Sequence, residues 1–221
     1  MQRRGRGRIA YPYTVWMVIF IVVPLFLIMF YSFTEGDIHN IKDLRFSLNG
    51  YKKVLEPIYL KVIGNSFVLA GISTLICLII GFPVAMIIAN TDVKYRNLLL
   101  TLFIVPIWMN FLLRTYAWMS LLSPNGLVNR VLLWLGLPKL EIMPGKGAVL
   151  LGMVYNFLPF MILPIYTVLS KIDKHVIEAA HDLGGNSVIT FMRVILPLSV
   201  PGIVSGITMV FLPAVSTFVI S

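Results

Sequence analysis

Five runs of about twenty or more residues, each almost wholly apolar, constrain this chain more than any other feature. They cover about 11–33, 63–89, 98–122, 148–169 and 201–221. A helix rises 1.5 Å per residue, so about twenty residues cross a hydrocarbon core roughly 30 Å thick. The intervening segments cannot dilute such runs into a soluble domain, because 58% of the residues are apolar, only 12% are charged and the mean hydropathy is +0.90. The expected fold class is an all-α membrane protein with five visible transmembrane helices. A cytoplasmic basic tail, 1–10, precedes the transmembrane domain, 11–221.

The net charge of +9 does not point to nucleic acid. The basic residues are scattered among loops instead of being gathered on a face with aromatics between them, and anionic membrane lipid is the better match. Cys77 is the single cysteine and lies within an apolar run, which excludes an intrachain disulfide and a thiolate metal cluster.

Arg3, Arg4, Arg6 and Arg8 form the basic tail. The apolar run after it is longer than a signal-peptide core and has no small-x-small cleavage site, so it reads as a first spanning helix. Gly5, Gly7 and Ala10 have a dinucleotide-like spacing without a preceding strand, as expected of a flexible tail. Nine basic residues fall in the segments taken as cytoplasmic and eight in the external ones. The four unopposed arginines before the first helix therefore set the orientation, with the N-terminus cytoplasmic. Segments 34–61 and 123–147 are then external.

The polar stretch from Lys171 to Pro197, within the loop 170–200, reads as a helix, a break and a second short helix closed by Leu196 and Pro197. Asp173 can cap the first helix, whose Val176, Ala179, Ala180 and Leu183 fall on one face. Lys174 and Glu178 sit four apart as an opposite-charge pair on the other face. Gly184 and Gly185 stop the helix.

Glu178, Ala179 and Ala180, then Gly184, then Val194, Leu196 and Pro197 resemble the EAA loop of bacterial ABC importer permeases, with Val194 where the pattern has Ile. The resemblance implies a type I importer architecture of six helices, the final one missing here, in the bacterial inner membrane. It also implies that this cytoplasmic loop docks on a separate ATPase. The implied partners are two ATPase copies, a second permease subunit and a periplasmic substrate-binding protein. ATP and magnesium would be bound at the ATPase. A linker helix lying on lipid headgroups is the plainer alternative for the same amphipathic pattern.

No Asp, Glu or His lies within the five runs. This disfavours an ion-coupled secondary transporter, and equally an intramembrane enzyme or metal site. His175 and His181 fall on different faces of a helix and make a poor ligand pair. No phosphate-loop motif occurs, so the chain is expected to be non-catalytic and to bind no ATP itself.

Arg114 lies roughly 24 Å along the third helix, where it could snorkel toward an external interface with Tyr116 and Trp118 as an aromatic belt. Asn110 lies deeper and could line a pathway or bond across to another helix. Tyr155, Asn156 and Phe157 form a similar cluster, and Gly202 and Gly206 have the spacing of close helix approach. The segment Arg114–Trp118, with Leu121, Leu122 and Gly126–Asn129, is similar to the polyamine branch of these permeases, which implies spermidine or putrescine as cargo. A polycation would need partners at depth. Trp108, Asn110, Tyr155 and Asn156 are the candidate path-lining positions, since aromatic faces and amide oxygens attract ammonium groups weakly. A permease for another small solute remains the alternative.

Overall fold

Proline decides where the first apolar helix changes its winding. In the computed structural model, which describes residues 4–35, 45–140 and 145–220, α1 (Arg4–Met17) passes through a five-residue π-turn, Val18–Val22, into α2 (Val23–Ser32). Pro24 has no N–H, and its ring would crowd the carbonyl of Phe20, four residues back. The wider turn relieves that crowding, with the Val23 N–H bonded to the Val18 carbonyl. The helix begins at Arg4, so most of the expected flexible tail is helical backbone. Arg3, Lys42 and Ser221, which enter the basic-residue count and the span limits above, lie outside the described residues.

The chain divides into two compact units, Met1–Ile63 and Gly64–Ser221. In the first, β1 (Thr34–Glu35) pairs antiparallel with β2 (Arg45–Phe46), followed by α3 (Asn49–Val54). Phe33 stacks on Phe46 at 6.1 Å and tilts against Tyr51 at 5.4 Å. The Glu35 carboxylate accepts bonds from Ser47 Oγ (2.8 Å) and Asn49 Nδ2 (2.9 Å). Those bonds, with a smaller contribution from Lys53, hold it below the usual carboxylate range.

The second unit is built around three helices. α4 (Pro57–Asn90) enters from the first unit and starts six residues before the expected second span. α8 (Lys146–Leu169) and α11 (Leu196–Ile220) pack along each other. Their approach rests on glycine. A Cβ on Gly206 would lie 2.7 Å from the Met161 sulfur, and one on Gly81 of α4 would lie 3.0 Å from Met161 Cγ. Met161 is thus held between α4 and α11. With Cys77, Ala85, Ile162, Ile165 and Val210 it forms a fully buried core. The Cys77 thiol donates to the Val154 carbonyl at 3.7 Å.

The apolar run expected to form one third helix is broken. α5 (Val93–Trp108) ends at Met109 and Asn110, both extended, and α6 (Phe111–Leu122) starts after them. With α7 (Leu127–Trp134) the pair bends by 98° at this point. Asn110 favours the break because its side chain competes for backbone N–H groups.

The fifth run also differs from expectation. α9 (Lys174–Asp182) is a separate helix, but α10 (Ser187–Thr190) continues through a π-turn, Phe191–Ile195, directly into α11. Leu196 and Pro197 therefore do not close the polar stretch. As at Pro24, the turn just before Pro197 absorbs its missing N–H, and the Leu196 N–H reaches the Phe191 carbonyl. Among the described residues four helices are long and apolar enough to span a membrane, and the bent pair makes a fifth.

Candidate functional site

α9 is fixed at both ends by its own sequence. Asp173 accepts a bond from the His175 N–H at 3.0 Å at the N-terminus. At the other end Gly184 adopts φ +84°, which a side chain would resist, and lets the chain fold back on the helix. The Gly184 N–H then bonds the His181 carbonyl (2.9 Å) and the Gly185 N–H bonds Ala180 (3.0 Å), a Schellman closure. The His181 ring adds a bond to the Gly185 carbonyl at 2.9 Å. Asn186 caps α10 by accepting from the Ile189 N–H at 2.8 Å.

This closure leaves the expected apolar face uncovered. Leu183, at its tip, is 90% exposed, and Val176 and Ala179 are also exposed. Beside them a cleft of about 310 Å³ is lined by Ala180, Leu183, Gly184, Gly185, Ile189, Thr190, Arg193 and Val194. Three of the resemblance positions, Ala180, Gly184 and Val194, therefore share one cleft. Glu178 and Ala179 stand on the exposed helix surface. Leu196 and Pro197 lie in the helix that carries the motif away, where Leu196 packs against the buried core.

Glu178 has a different partner from the one expected. Its carboxylate meets His175 Nδ1 at 3.1 Å, one helical turn back, and not Lys174. Both side chains are well exposed, so the contact contributes little stability. The second half of the stretch is anchored by Phe191, whose ring meets Phe82 of α4 edge-on at 5.7 Å.

The candidate path residues gather around the helix break. Asn110 stands at the break and not in mid-helix, and its Oδ1 accepts from the N–H groups of Leu112 (2.9 Å) and Leu113 (3.5 Å), capping α6. Trp108, the last residue of α5, is 87% exposed. Arg114 is tied across the break, contrary to snorkelling, because its Nη1 donates to the Pro106 carbonyl at 2.6 Å. A ruler laid from the start of the run therefore does not locate it. The guanidinium lies 5.7 Å from the centre of the Tyr155 ring on α8, and Trp118 meets that ring edge-on at 5.1 Å. Tyr155 is thus contacted by two residues one turn apart on α6. The neighbouring Asn156 Oδ1 is buried with no hydrogen-bond partner.

Three further polar residues, not singled out from the sequence, have defined surroundings in the structure. Arg96 closes the turn after α4 by donating to the Ala89 carbonyl (3.1 Å) and the Thr91 carbonyl (3.0 Å). Asn129, 2% exposed, joins the Ser123 carbonyl to both backbone groups of Leu140. Thr190, also 2% exposed, holds an unpartnered hydroxyl beside the cleft. A polar residue at a helix start or turn, such as Asn129 just after Gly126, is the available sequence signal for such brackets.

Residues 81–221 match the family described as binding-protein-dependent transport system inner membrane component. The chain is 42% identical over 208 residues to the spermidine/putrescine transport system permease protein PotB of Escherichia coli strain K12, covering 93% of this chain and 76% of that protein. A crystal structure of a bacterial ABC transporter involved in the import of the acidic polysaccharide alginate has a chain that superposes with a TM-score of 0.71 at 20% identity, covering 89% of this chain and 68% of that one. The alginate transporter in complex with its alginate pentasaccharide-bound periplasmic protein gives 0.69 at 21% identity, covering 89% and 67%. At these identities the structural likeness concerns the fold.

Proposed function

Because this chain belongs to the family of binding-protein-dependent transport system inner membrane components, we propose that it is one permease subunit of an ATP-driven importer whose cargo is a small polyamine, spermidine or putrescine. It spans the bacterial inner membrane with its N-terminus in the cytoplasm. α9 and the cleft behind it form the coupling element. Two copies of a cytoplasmic ATPase bind ATP and magnesium, and one of them receives α9 in a groove. A second permease subunit completes the path, and a periplasmic binding protein delivers the cargo.

The observation that carries the coupling reading is Leu183, 90% exposed at the tip of a short, rigidly closed helix. A helix that lays an apolar face into a partner's groove needs such a face open in the free subunit. The Schellman closure stiffens it, and the continuous helix from Ser187 to Ile220 then carries a push on α9 into the membrane. Catalysis is absent from this role: the ATPase hydrolyses ATP, and this chain converts its closing motion into alternating access.

The cargo reading is supported by the identity with the spermidine/putrescine permease and by the aromatic and amide groups around Tyr155. The test is ATP-dependent uptake of labelled spermidine into proteoliposomes holding the complete complex. Uptake that requires ATP and the binding protein supports it. ATP-coupled uptake of another solute, with spermidine excluded, overturns the cargo and leaves the importer. Ion-driven uptake by this chain alone overturns both.

A further inference from the structure

Arg114 is the one basic residue within the expected spans, and its surroundings do not resemble a passive anchor. Breaking α5 from α6 frees backbone groups on both sides, carbonyls at the end of α5 and N–H groups at the start of α6. Asn110 satisfies the second set and Arg114 serves the first, as a cation at a helix C-terminus. The same guanidinium lies over the Tyr155 ring on α8. One side chain on α6 therefore touches both α5 and α8. The fastening is incomplete, because Arg114 Nε is buried with no hydrogen-bond partner, as is Asn156 Oδ1 beside Tyr155.

We infer that Arg114 is a releasable latch across the broken helix, and that an ammonium group of the cargo opens it by taking its place over the Tyr155 ring. This deepens the polyamine reading and rests on it for the second half only. Two cations cannot share one aromatic face, since they repel each other while competing for the same quadrupole. A polyamine that takes the face under Arg114 must displace the guanidinium, and Asn156 Oδ1 offers an acceptor that Arg114 leaves unused. Displacement removes the Arg114 part of the contact between α6 and α8, leaving Trp118 alone against the Tyr155 ring, and lets the bend at Met109–Asn110 relax. Arg114 thereby makes passage depend on a cationic cargo without itself carrying that cargo.

The test places a reporter at the break. Ile107→Cys, at a half-buried position beside the break, is introduced with Cys77→Ala into the complete importer in proteoliposomes, and labelling by a charged thiol reagent is timed with and without spermidine and binding protein. With Arg114 present, labelling is slow, and cargo accelerates it. Arg114→Gln should give labelling roughly tenfold faster without cargo, the ratio set by about 1.4 kcal/mol of latch stability. Tyr155→Phe keeps the ring face and should behave as the parent, whereas Tyr155→Leu should behave as Arg114→Gln. Equal cargo-free rates in the parent and Arg114→Gln overturn the latch, whatever the cargo proves to be. A latch that opens in Arg114→Gln but ignores spermidine in the parent overturns the displacement step alone. Should Arg114→Gln not assemble, the Tyr155 pair decides: equal rates for Phe and Leu overturn the latch.

Discussion

A Cβ on Gly202 would lie 3.0 Å from the carbonyl oxygen of Pro164, and equally close to the Val168 side chain, so the crossing of α11 over α8 has no room for a side chain at this position. Two of the three nearest atoms belong to the α8 backbone, which cannot turn aside as a flexible side chain could. Gly202→Leu must therefore push the two helices apart and lower stability by about 1–3 kcal/mol. Gly71, in the same unit, has nothing in this chain within 4 Å of its Cβ position. Gly71→Ala should be neutral or stabilising by up to about 1 kcal/mol, because alanine favours helix. Thermal unfolding in detergent, followed by tryptophan fluorescence, checks both. Equal midpoints for the two variants would contradict the packing argument.

Gly184→Val is expected to uncouple ATP hydrolysis from transport while leaving the subunit in the membrane. The residue holds φ +84°, which a β-branched side chain avoids at a cost of about 1–3 kcal/mol. Nothing in this chain lies within 4 Å of its Cβ position, so the harm comes through the backbone and through the open side of the cleft, not through the core. The Schellman closure should open and α9 should lose its rigid stop. The ratio of cargo transported to ATP hydrolysed in proteoliposomes is the measurement, and a wild-type ratio would refute the role given to this turn.

The EAA-like segment was legible because its residue spacing is fixed across a helix, a glycine turn and the next helix, and the close approach at Gly202 and Gly206 because it depends on spacing along one helix. The break at Met109–Asn110 was not. Hydropathy averages over a window, and Ile107, Trp108, Met109 and Phe111 keep the run apolar straight through the bend. Pro106 and Asn110 were the local signals, one removing a donor and the other offering a cap. The start of the last helix was missed for the opposite reason. Pro197 and Pro201 argue for a stop, yet the π-turn at Phe191–Ile195 accommodates Pro197 without interrupting the helix. Charge pairing at Glu178 was ambiguous in principle, since partners three and four residues away are both within reach, and His175 is the one engaged.

Glu178→Lys should weaken retention of the ATPase. The substitution reverses a charge on the exposed surface of α9 and loses the contact with His175, but that contact is solvated and its loss should barely change the stability of the subunit. An interface charge acts instead on encounter and register. The expected result is a subunit of unchanged thermal stability that loses ATPase during detergent purification, more so at higher salt. Glu178→Gln should lie between the two. Full retention of ATPase by Glu178→Lys would remove this residue from the docking surface.

Trp108, Asn110, Tyr155 and Asn156 are expected to include positions that line the cargo path, but the structure gives them different duties and hence different expected losses. Asn110→Ala removes the cap from α6, a cost of about 1 kcal/mol, and should impair uptake through the shape of the break. Asn110→Asp keeps the acceptor and should recover most of it. Trp108 is exposed in this chain, so Trp108→Leu should leave stability unchanged and alter uptake only if its ring meets the cargo or the second permease subunit. Tyr155→Ala removes the ring that Arg114 and Trp118 both contact and should have the largest effect on apparent affinity. An aromatic face attracts an ammonium group by roughly 0.5–2 kcal/mol, so its loss corresponds to a change of about two- to thirtyfold. Asn156→Leu replaces an unpartnered buried acceptor with an apolar group of similar size, which should raise stability slightly while lowering affinity for a polycation. Labelled spermidine uptake over a concentration series, in complexes of verified assembly, separates affinity from maximal rate. Normal uptake in all four positions would place this subunit's share of the path elsewhere.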